Sequence, residues 1–163
     1  MNAQKYTQKS LSAIQAAQAL TLENGQQQIE QVHFLAALLR QDGGLVPQLL
    51  RKMGITTESL DAAVEQTLER LPKVSGSGRE ADKYYVSRSV DNALNRAEGI
   101  AGEMRDEFVS VEHLFLALIE TADGTLTPLF RTYNITKESC LQALQNRRQV
   151  QAAVQRYLKI QPI

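Results

Sequence analysis

The sequence predicts an all-α fold, a single domain built from two tandem copies of a four-helix unit. Three observations lead there. The composition favours helix, the chain matches itself without a gap when shifted by 80 residues, and apolar residues recur at helical spacing inside each copy. Hydrophobic residues are 43% of the 163, enough for a core, while Gly (9) and Pro (4) are too few to interrupt long periodic segments. Ala, Leu, Gln and Glu are common, and each loses little rotamer freedom in a helix.

The repeat is read residue by residue. His33-Phe34-Leu35-Ala36-Ala37-Leu38-Leu39 falls on His113-Leu114-Phe115-Leu116-Ala117-Leu118-Ile119. Between the pairs Thr7/Ser87 and Val64/Leu144, 14 of 58 aligned positions are identical. Many others exchange one apolar residue for another, as at Ile14/Leu94, Ile29/Val109 and Leu50/Phe130.

In each unit the first helix is expected at about 7–23 and 87–104. Leu11, Ile14, Ala17 and Leu20 recur every three residues along one face, and Thr7 and Ser87 stand where an N-cap belongs. Asn24-Gly25 suits a left-handed helix end. The second helix is expected at 31–41 and 111–122, with Glu30 and Ser110 as N-caps and Ile29–Phe34 and Val109–Leu114 at hydrophobic-staple spacing. Gly44 and Gly124 are expected to end these helices. A short third helix at 45–53 and 126–133 is followed by Gly54 and Asn134, residues that tolerate positive φ. The fourth helix starts at Thr56 or Thr136, with Glu58 or Glu138 in its first turn where the helix dipole favours a carboxylate. The expected boundaries are one domain at 1–148, comprising repeat one (5–72), a Ser/Gly-rich linker (73–84) and repeat two (85–148). Residues 149–163 follow as a C-terminal helix or linker, with Val150, Ala153, Val154, Tyr157 and Leu158 at helical spacing.

Charge narrows the function. The 18 basic residues balance the 18 acidic ones, so no footprint for nucleic acid or an anionic membrane is expected, and Arg147 and Arg148 read as a solvated helix face. A single cysteine, Cys140, excludes an intrachain disulfide and fits a reducing cytosol; it aligns with Leu60 and reads as a small core hydrophobe. No secretory signal or membrane span is expected. Nor is a catalytic centre. Gly76-Ser77-Gly78 lacks the lysine of a phosphate loop, no Gly-x-Ser-x-Gly is present, and no metal site is expected. His33 and His113 stand alone on their helices, 80 residues apart, and their equivalence suggests one structural job at the helix start, such as holding a loop carbonyl.

One stretch invites a functional reading. Glu103, Asp106, Glu107 and Glu112 surround Phe108, where unit one carries Glu23, Gln26, Gln27 and Val32. The stretch is either a solvated loop or a rim of carboxylates around an apolar patch, suited to basic, apolar peptides.

At this point the residues resemble a known family. The strings IEQVHFLAALL (29–39) and VSVEHLFLALIE (109–120) look like the double-repeat N-terminal domain of the Clp ATPases. LPKVSGSG (71–78), YYVS (84–87) and NRAE (95–98) resemble the ClpB-type disaggregases most. The resemblance covers about 5–147 and implies pseudo-twofold symmetry between the units. It also implies a mobile cytoplasmic module, monomeric when isolated, above a hexameric ATPase ring. There it recruits unfolded or aggregated clients; ATP and magnesium belong to ATPase modules missing from this chain. Carried over singly, the family's substrate contacts fall on Thr7, on Asp106 and Glu112, and on Ile100, with Phe108 as a further apolar contact. The alternative is a ClpA- or ClpC-type module that docks an adaptor protein or phosphoarginine. For phosphoarginine the family pairs the opening hydroxyl with a Glu before the repeat's His, as Ser87 with Glu112 here; unit one has Thr7 but Val32 in place of the Glu.

Overall fold

A computed structural model of the chain describes residues 2–74 and 85–160. The linker expected at 73–84 lies outside the described residues from 75 onward. Eight α-helices are described, in two sets of four: α1 (Gln8–Glu23), α2 (Gln31–Leu39), α3 (Leu45–Lys52) and α4 (Thr57–Arg70), then α5 (Arg88–Glu103), α6 (Val111–Glu120), α7 (Leu126–Thr132) and α8 (Lys137–Ile160). The fold is mostly helical, as the sequence predicts.

The helix starts follow their caps. The Thr7 and Ser87 hydroxyls accept the amides of Ser10 and Val90, and the Thr136 hydroxyl accepts that of Ser139. Helix ends follow too: Gly54 has φ +79° after α3 and Asn134 has φ +55° after α7. Gly25 ends the first turn beyond α1 at φ +71°, and Arg105 takes the same place after α5 at φ +58°. Gly44 is a correction. It does not end α2, which stops at Leu39; it is the N-cap of α3. The left-handed turn falls on Gly43 (φ +63°), and a Cβ on Gly44 would lie 2.8 Å from Gln41 Cβ, so close approach requires glycine there. Gly124 likewise lies beyond the end of α6 at Glu120, just before Thr125, the N-cap of α7.

Helices α2 and α6 form the centre. Every residue of α2 is buried, and Phe115, Leu116, Ala117 and Leu118 of α6 lie in the same core. Helix α1 packs on α2 and α5 on α6, α4 closes over α2, and α8 closes over α6. Across the symmetry axis α3 meets α8 and α4 meets α7, so the units share one core.

Two short strands, absent from the sequence prediction, join the units. β1 (Gln28–Ile29) pairs in parallel with β2 (Tyr85–Val86), and Tyr6 bridges Val109. These pairings are crossed: the segment before the first helix of each unit pairs with the segment before the second helix of the other. The Thr7 amide donates to the Val109 carbonyl at 3.0 Å, and the Ser87 amide donates to Ile29 at 3.1 Å. Buried Gln31 adds a second tie. Its Nε2 donates to the carbonyls of Ser89 (2.9 Å) and Thr121 (3.0 Å), and its Oε1 accepts the Asp123 amide (2.9 Å).

Helix α8 runs unbroken through Arg148 to Ile160, and residues 149–159 are exposed. No described helix is long and apolar enough to cross a membrane.

Candidate functional site

The two histidines lead into the site. Each sits at the third position of a central helix, and its Nδ1 accepts the amide of the N-cap residue: Glu30 for His33 and Ser110 for His113, both at 2.9 Å. The ring proton is therefore on Nε2. The sequence reading of a shared structural job stands, but the group held is an amide and not a carbonyl.

From Nε2 the units diverge. In unit one His33 donates to Gln26 Oε1 at 2.6 Å, and Gln26 Nε2 donates to the Leu68 carbonyl at 2.9 Å. That chain is neutral and buried, and burial pushes the His33 imidazole down to about 4. In unit two the repeat equivalents of Gln26 and Leu68 are Asp106 and Arg148. His113 Nε2 donates to Asp106 Oδ2 at 2.7 Å, and Arg148 donates to the same oxygen at 2.8 Å. Arg148 also lies 3.6 Å from Glu112, the equivalent of Val32. An apolar pair and a glutamine in one copy have become an ion-paired cluster in the other. Burial opposes the charge on Asp106, but hydrogen bonds from Arg148 and His113 outweigh it and hold the carboxyl below its ordinary range. The Asp106 contact in turn raises the Arg148 guanidinium.

The expected site residues separate into two groups. Asp106 and Glu112 come together on Arg148, and Phe108 stands exposed (45%) in the α5–α6 loop that carries Asp106. Beside them a groove of about 540 Å³ is lined by Met104, Leu141, Leu144, Gln145, Arg148 and Ala152. Ile100 is 6% exposed and belongs to the core. Thr7 and Ser87 serve as N-caps, and the crossed pairing exchanges their surroundings: Thr7 lies against Val109 of unit two, and the nearly buried Ser87 against Ile29 of unit one. At the backbone, Thr7 lies against the segment that leads into α6, and Ser87 against the segment that leads into α2. Cys140 is fully buried, and burial together with the Glu112 charge pushes its thiol up to about 12.

Arg148 is the residue that sequence reading missed. Far from being a solvated face, Arg148 holds the carboxylates, and Arg147 donates to Gln48 Oε1 at 2.6 Å. A signal was present in the repeat alignment. Gln26→Asp106, Val32→Glu112 and Leu68→Arg148 are three changes from uncharged to charged with opposing signs, around an unchanged histidine.

Comparison with known proteins agrees with this architecture. Among curated relatives, the chaperone protein ClpB of Bacillus anthracis is 36% identical over 144 residues, 88% of this chain and 16% of the relative. ClpB of Nitratidesulfovibrio vulgaris is 36% identical over 147 residues, 90% of this chain and 17% of the relative. The chain thus spans about 16–17% of the length of these relatives. Among solved structures, the Hsp104 N-terminal domain of Candida albicans superposes with a TM-score of 0.75 at 21% identity, covering 88% of this chain and 91% of that one. A ClpV N-domain in complex with a VipB peptide superposes with a TM-score of 0.62 at 20% identity, covering 82% and 84%. These likenesses carry the fold. The family model of the Clp repeat (R) N-terminal domain matches residues 5–133, and the chain belongs to that family.

Proposed function

We propose that this chain is the substrate-recruiting N-terminal domain of a ClpB-type disaggregase. It docks exposed apolar, basic segments of unfolded or aggregated proteins and passes them to a hexameric ATPase ring in the cytoplasm. The observation that carries this reading is Phe108, a large apolar side chain held in solvent two residues after Asp106, four before Glu112 and close in sequence to Met104 of the apolar groove. Apolar contact supplies the affinity and the carboxylates select bases nearby. The ClpB relatives support the assignment, and the ClpV N-domain bound to a peptide supports peptide docking on this fold. The domain itself performs no chemistry; ATP and magnesium belong to modules beyond the matched region. Phosphoarginine reading draws less support, because the Thr7 and Ser87 hydroxyls cap helices and Ser87 is held against unit one.

The test is Phe108→Ser. Its side chain is half in solvent, so stability should change by less than about 0.5 kcal/mol. Loss of the apolar contact should weaken binding of a chemically unfolded client by about 1 kcal/mol, roughly fivefold in Kd. Fluorescence titration reads the affinity and thermal melting the stability. An unchanged Kd overturns the reading.

A further inference from the structure

The carboxylates proposed to receive basic clients already hold a base. We propose that Arg148 is a built-in competitor: its guanidinium fills the Asp106–Glu112 site in the resting domain, and a client's arginine or lysine displaces it, releasing one of the two side-chain ties at the end of α8. This inference rests on the functional reading above and adds its regulation.

Four observations carry it. The site is reachable from the Asp106 side, since the side chains of Asp106 and Arg148 are 28% and 38% exposed against 13% for Glu112, so one guanidinium can replace another on Asp106 without opening the core. The receptor is fixed independently of Arg148. His113, fully buried, donates to Asp106 from a ring whose other nitrogen is held by the Ser110 amide, so the carboxylate keeps its place when Arg148 leaves. The ion pair is not needed to close the unit, because unit one closes the same corner with Gln26 on the Leu68 carbonyl and ends α4 at Arg70. And among the described residues, Arg147 and Arg148 make the last side-chain hydrogen bonds between α8 and the body; residues 149–159 beyond them are exposed.

The exchange explains a division of labour. A client's guanidinium gains only what Arg148 gives up, so the base contributes little net affinity. Binding strength then comes from what flanks the base, against Phe108 and along Met104, Leu141 and Leu144, which line the same groove as Arg148. Clients of mixed apolar and basic character are selected over purely basic ones. By linkage, anything that holds the end of α8 in place weakens the client, and the client loosens α8 by the same factor.

The experiment compares an unstructured peptide of alternating leucine and arginine with a twin carrying glutamine for every arginine. Arg148→Ala should bind the arginine peptide about five- to tenfold more tightly than wild type, a larger gain than it shows for the twin. In the wild-type domain, saturation with the arginine peptide should move the NMR signals of the Arg148 guanidinium to the position of free arginine, and the twin should not. Equal or weaker binding by a folded Arg148→Ala overturns the proposal, as does an unmoved Arg148 signal in the saturated wild type. That wild-type measurement decides alone if the variant does not fold. If wild type binds neither peptide, the recruitment reading falls with it; if it binds and Arg148 stays in place, displacement alone falls.

Discussion

His33 and His113 occupy one position in two copies, and their surroundings make them different residues. Each closes an N-cap through Nδ1, but Nε2 meets an amide oxygen in one case and a carboxylate in the other. His33 has a consequence for stability. Its folded value, about 4, lies below the ordinary histidine value near 6.5, so the unfolded chain takes up the proton first. Its contribution is complete above pH 6.5 and is lost as pH falls toward 4. Between pH 8 and pH 5 the loss is about 2 kcal/mol. His33→Gln keeps an acceptor for the Glu30 amide, as glutamine does at this position of a capping box, and removes the titration. Urea denaturation at pH 8, 6.5 and 5 should therefore show a shallower pH dependence in the variant; equal slopes would place the titration elsewhere. The structural role of these histidines was legible from their repeat equivalence. Their partners were not, because Asp106 meets Arg148 across 42 residues of chain and only folding brings them together.

At the scale of the element, the sequence was most readable where a backbone group needs a particular side chain. Thr7, Ser87, Gly54 and Asn134 announce starts and stops because an orphan amide or a positive φ restricts what fits there. Gly54→Ala isolates the backbone effect. Nothing lies within 4 Å of an added Cβ, so packing is untouched, while φ +79° places alanine in a strained region. The expected cost is about 1–2 kcal/mol in chemical denaturation. A variant as stable as wild type would show that the turn relaxes. The strands were not readable. Two residues cannot display an alternation, and their pairing is decided by the other unit. Gly44 was misread for a related reason: the glycine–glycine pair signals a turn, but which of the two takes the left-handed conformation is set by the approach of Gln41.

At the scale of the molecule, the duplication and the boundaries between helices were legible, whereas the interlocking of the units was not. Gln31 tests that interlocking. Removing its side chain leaves the Ser89 and Thr121 carbonyls and the Asp123 amide without this partner in a buried seam. Gln31→Ala should therefore cost about 2–3 kcal/mol. Because the units share one core, probes placed in either unit should lose signal together in a single transition. Separate transitions would mean that the seam is weak. The crossed strands also bear on ancestry. Each unit's leading segment is paired with the other unit, and the same contacts made between two identical chains would form a symmetric dimer with exchanged ends. In such a dimer one residue must serve both halves, so the neutral chain of Gln26 and the charged chain of Asp106 are mutually exclusive. Joining the halves in one polypeptide removes that constraint: one copy is free to keep the core dry while the other acquires charge.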